Sequence, residues 1–177
     1  MSTQVSPHFD LEEFDQDAPI PADCVPILRL FCIDILEPIR AWLNRPMEIT
    51  SGYRSPEHNQ EIHGSPTSEH VYTTEYCASD FVFNTTAPTS VSIRACYDWI
   101  RQNPRLPFHQ VILEHSANGT SIIHISMNLT KWGVRQALEG ATYNASAYST
   151  HDVTSFGGPS LNQENVNGSG TGNSEVV

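Results

Sequence analysis

The chain has 177 residues, 38% of them hydrophobic, with 12 prolines and 10 glycines, which suits one domain with a modest core. Nine Lys and Arg face 20 Asp and Glu, a formal charge of -11, and this argues against a nucleic-acid backbone as main partner and against a basic membrane anchor. No apolar run nears the roughly 18 residues of a membrane span, and the opening MSTQVSPHFDLEEFDQD has neither the basic start nor the apolar segment of a signal peptide.

Residues 1–22 read as an acidic arm. Asp10, Glu12, Glu13, Asp15 and Asp17 keep it wet, while Phe9, Leu11 and Phe14 offer docking points. A helix is expected from Asp23, with Pro26 in its first turn. Leu28, Phe31, Cys32, Ile35, Leu36, Ile39, Trp42 and Leu43 then recur at steps of three and four. Pro38 should kink or split it, and residues 44–46 end it. Met47 to Thr50 reads as a strand, followed by the turn SGYRSP. Ser55 caps a second helix with Pro56 at its first position. After the loop HGSPTS, Ala78 to Asn84 alternates as a strand, and a helix is expected from Pro88 to Arg101. His109–His115 and Ser121–Met127 flank SANGT, a hairpin signal. Trp132 to Leu138 reads as a last short helix. The Ser, Thr, Asn and Gly-rich stretch 140–177 reads as an extension with no core of its own. The main domain is thus expected at 23–139, and the four cysteines, none in a CxxC pair, as buried thiols.

Three polar positions can converge on a sheet surface: His70 before a strand, Asp80 within one, and His124, which interrupts Ile122, Ile123 and Ile125. Two imidazoles and a carboxylate are a ligand set for zinc with an open fourth place, and a water there can attack a carbonyl when a carboxylate takes its proton. An isolated strand histidine is more commonly a hydrogen-bonded core residue.

The run PMEITSGYRSPEHNQEIHGSPTSEH, with FHQVILEH and SIIHIS later, resembles the phage and bacterial branch of the zinc D-Ala-D-Ala carboxypeptidases, the peptidase M15 family, which shares its fold with the hedgehog signalling domain. The likeness runs from about Val25 to Arg135. It implies an α+β fold with a small antiparallel sheet, helices packed on one side and the site on the other, more polar face. It also implies that His70, Asp80 and His124 are zinc ligands and that Arg54 grips a substrate carboxylate. Ser68 corresponds to the small polar residue beside the first ligand. Nine residues, VYTTEYCAS, separate His70 from Asp80, longer than the family spacing, and Glu75 within them is an alternative carboxylate ligand.

The general base depends on hairpin register. Ser121 stands three before His124, where relatives place an acid, so Glu114 on the pairing strand is the candidate. A two-residue Asn118-Gly119 loop would pair Glu114 with Ile123 and turn it away from His124; a loop one residue longer restores it to that face. His109 and His115 are alternative proton carriers, while His151 and Asp152 look unconstrained. Two functions follow. One is a zinc metallopeptidase cleaving peptidoglycan stem peptides. The other is a non-catalytic virion subunit of a tailed phage, in capsid, neck or tail, lacing onto other virion proteins through both termini. The acidic charge, which repels anionic wall polymers, counts against a free lysin, and the acidic arm and the Ser, Asn and Gly-rich extension suit the second. Either implies residence in a host cytoplasm or in a particle assembled there.

Overall fold

The computed structural model describes residues 3–86, 91–141 and 148–158. Its longest helical run answers the problem that Pro38 poses. Proline has no N–H for the carbonyl four residues earlier, and its ring presses on that carbonyl in an unbroken α-helix. The chain accommodates it with a π segment, Cys32–Leu36, between α1 (Val25–Phe31) and α2 (Glu37–Leu43). The expected kink is therefore a widened turn. Asn44, left-handed at φ 51°, closes the run. Ser55 caps α3 (Pro56–Glu61) by accepting from the His58 N–H, and Ser92 caps α4 (Ile93–Gln102) in the same way from Ala95. The expected start of that helix at Pro88 lies outside the described residues.

The sheet differs from expectation in one pairing. Strands β1 (Gln4–Ser6) and β2 (Phe9–Asp10) form a separate small ribbon. The main sheet is built from β3 (Glu48–Ser51), β4 (Tyr76–Val82), β5 (Gln110–His115), β6 (Ser121–Asn128), β7 (Gln136–Ala141) and β8 (Ser149–His151). Their order is β3-β4-β6-β5-β7-β8. All neighbours are antiparallel except β5 and β7, which are parallel, so the sheet is mixed. The helix expected over Trp132–Leu138 is absent: a single 3-10 turn at Leu129–Lys131 leads into β7. Tertiary structure overrides the local pattern there. The free edge of β5 offers β7 a full set of backbone partners, and buried Arg135 is pinned by the carbonyls of Ile100, Asn103 and Thr154.

Strand alternation divides the sheet into two faces. Cys77, Phe81, Val111, Leu113, Ile123, Ile125, Met127 and Ala137 are buried on one, where α1 meets β4 and α4 meets β5 and β6. The acidic arm joins this core: Phe9, Phe14 and Ile20 are buried in the same cluster as Leu28, Phe31 and Ile35. Each large apolar side chain so buried contributes about 1.5–3 kcal/mol. The C-terminal extension adds β8 to the sheet edge; its residues 142–147 and 159–177 lie outside the described residues. The four cysteines are free and buried. No helix among the described residues is long and apolar enough to cross a membrane.

Candidate metal centre

The opposite face carries the polar residues. Asp80 of β4 stands directly across from His124 of β6, and His70 arrives from the loop after α3. His70 Nε2 lies 3.2 Å from Asp80 Oδ1 and 3.1 Å from His124 Nδ1, and His124 Nδ1 is 2.8 Å from Asp80 Oδ1. All three residues are buried.

The tautomer of His70 is fixed by its other nitrogen. Nδ1 sits 2.7 Å from the carbonyl of Gly52, which can only accept, so Nδ1 carries the proton and Nε2 of the neutral ring presents a lone pair. That lone pair faces a carboxylate oxygen and a second imidazole nitrogen. One N–H on His124 cannot serve all three edges of this triangle; a cation among the three atoms, or a further proton, does. The donor set, two imidazoles and a carboxylate, suits zinc. Burial pushes the Asp80 carboxyl up, but the charge and hydrogen bonds of His70 and His124 prevail and hold it well below the usual carboxylate range. Asp80 is therefore ionised.

The turn before α3 braces this triangle. Arg54 Nη2 donates to Asp80 Oδ2 at 3.1 Å and to Ser51 Oγ at 3.0 Å, so Arg54 grips the ligand carboxylate's outer oxygen. The Arg54 N–H donates to the His70 carbonyl, and the Tyr53 N–H to the Phe14 carbonyl. A β-carbon at Gly52 would fall on the backbone of Phe14, so Gly52 serves close approach. Tyr53 packs edge-on against buried Tyr72. Ser68 accepts weakly from the His70 N–H, at 3.4 Å.

The long spacing between His70 and Asp80 does not part the two side chains. Tyr72 turns inward and donates to the Ala78 carbonyl at 2.8 Å. Beyond it, the extra chain lengthens β4, whose Tyr76 still pairs with Asn128. The Glu75 carbonyl accepts from the Leu129 N–H, and its side chain is exposed and outside the cluster.

The hairpin takes the longer loop. Glu114 pairs with Ile122 and Ile112 with His124. The Ser116 N–H donates to the Thr120 carbonyl, leaving Ala117, Asn118 and Gly119 as the loop, with Gly119 at φ 85°. Glu114 therefore shares the face of His124, one diagonal step away.

Two features went unread in the sequence. Glu69, next to ligand His70, accepts from His109 Nδ1 and from Asn128 Nδ2. Burial pushes its carboxyl up, but the bond from His109 leads the groups that bring it below its ordinary value. His109 is thus committed to Glu69. The signal was an acid beside a ligand. Tyr148 donates to Glu114 Oε1 at 2.7 Å; its only signal was an aromatic residue within a Ser and Asn-rich stretch. His115 and His151 both face Glu139, away from the metal face, so His151 is held in place.

A family model described as Peptidase M15 matches residues 7–99. The match includes Arg54, His70 and Asp80 and stops before Glu114 and His124. No curated protein matches the chain.

Proposed function

Since the chain belongs to the peptidase M15 family, we propose that it is a zinc-dependent metallopeptidase that hydrolyses an amide bond in peptidoglycan stem peptides. The observation that carries this reading is the buried triangle of His70, Asp80 and His124, whose donor atoms lie within 4.8 Å of one another with a lone pair left facing inward. Bound by these residues, zinc supplies Lewis-acid polarisation of a carbonyl and acidifies a water.

The chain's own groups would do the rest. Glu114, on the same face, takes the proton of the attacking water and returns it to the leaving amine. Arg54 holds Asp80 through Nη2, and its remaining Nη1 edge is what a substrate carboxylate would meet. A stem peptide, short and ending in a carboxylate, presents that group.

Elemental mass spectrometry on protein purified without chelator tests the metal. We expect about one zinc per chain in the wild type and none in His124→Ala. Glu114→Gln should keep its zinc and lose about 10²–10⁴ in kcat on purified muropeptides. A wild type that takes up no zinc when zinc is supplied would sink the catalytic reading and leave the virion-subunit role to be tested by particle composition.

A further inference from the structure

Tyr148 lies far beyond the stretch matched to the family, yet it reaches the metal face. The route is visible in the register. Glu114 on β5 is level with Gly140 on β7. The last recorded β7–β8 pair is Glu139 with Ser149, so Gly140 and Tyr148 are the next positions on each side. A β-carbon at Gly140 would fall on Cδ1 of the Tyr148 ring. The ring therefore crosses β7 over the one position there without a side chain, and its hydroxyl meets Glu114 Oε1 on the far side.

The direction of this hydrogen bond is set. Burial pushes the phenol well above its ordinary value, and Glu114 and Asp80 push it the same way, so Tyr148 keeps its proton and Glu114 accepts.

We infer that Tyr148 is a positioning residue for Glu114: its O–H fixes Oε1 of the carboxylate and leaves Oε2 as the atom that takes a proton. The importance of that atom rests on Glu114 being the base in the function proposed above. Through Tyr148, a strand that follows the metal-binding core completes the site.

The test uses the full chain and two readouts. The first is the Glu114 carboxyl-carbon NMR signal of metal-free protein at fixed neutral pH, assigned from Glu114→Gln. Loss of the phenol O–H in Tyr148→Phe should move that signal, and Gly140→Ala, which displaces the ring, should move it in the same direction. The second readout is muropeptide hydrolysis. Tyr148→Phe should keep its zinc and its KM and lose about tenfold in kcat. An unmoved Glu114 signal, or an unmoved kcat in an active enzyme, overturns the inference. A moved signal in a chain that takes up zinc but hydrolyses nothing overturns the peptidase reading and supports the Tyr148–Glu114 pair.

Discussion

Gly52 shows how much of the centre depends on single atoms. Its carbonyl holds His70 Nδ1 at 2.7 Å, and its missing side chain lets the backbone of Phe14 lie against it. Gly52→Ala would set a β-carbon against main chain, which cannot swing aside as a long side chain can. We expect a loss of about 1–3 kcal/mol in denaturant unfolding, the usual range for overpacking. Zinc affinity should fall with it, because the displaced carbonyl is the partner that sets the His70 tautomer. Unchanged zinc affinity in a destabilised Gly52→Ala would show that the Gly52 carbonyl is not needed for ligand orientation. The convergence of His70, Asp80 and His124 was legible from spacing and resemblance. Their brace was not, since nothing local in SGYRS says that Arg54 turns toward Asp80 at 3.1 Å.

Among the elements, the β5–β6 hairpin decides whether Glu114 can serve. A two-residue and a three-residue loop read alike in SANGT, yet they place Glu114 on opposite faces. The choice falls to the longer loop, with Gly119 at φ 85°. Alanine there would be forced into a left-handed conformation at a cost of about 1 kcal/mol, so Gly119→Ala should lower the denaturation midpoint accordingly. A neutral substitution would mean that the loop relaxes to another turn. The helical run and α3 were readable because periodicity and caps are local signals. β7 was not. Its partner is β5, some twenty residues earlier, and the parallel pairing leaves no short-range mark. The same limit hid β8, which adds to the outer edge of β7 from within a polar stretch.

Across the whole molecule, Glu139 ties the C-terminal half together. It meets Arg94 of α4, His115 of β5 and His151 of β8. Arg94 foremost, then His115, against the opposing push of burial, bring its carboxyl from 4.5 down to about 2. A carboxyl lowered in the folded state adds stability above its ordinary value, and that stability is lost as pH falls toward the folded value. Unfolding free energy should therefore drop between about pH 4.5 and pH 2. Glu139→Gln should be less stable at neutral pH and show a flatter decline through this window. A parallel decline in both proteins would assign acid sensitivity elsewhere.

The strand order also carries a kinetic meaning. β5 and β6 are neighbours in sequence and can zip from their loop, and β4 can then dock on β6. β7 has to pass across the end of β5 before it pairs, and β8 can join only once β7 is in place. The strand at that edge should be the last to settle and the first to open, with hydrogen exchange faster at Ser149–His151 than at Ile123–Met127. Asp80 and His124 sit on the early strands and the Tyr148 ring hangs on the late one. During folding, a chain built this way brings Asp80 and His124 face to face before the Tyr148 hydroxyl can reach Glu114.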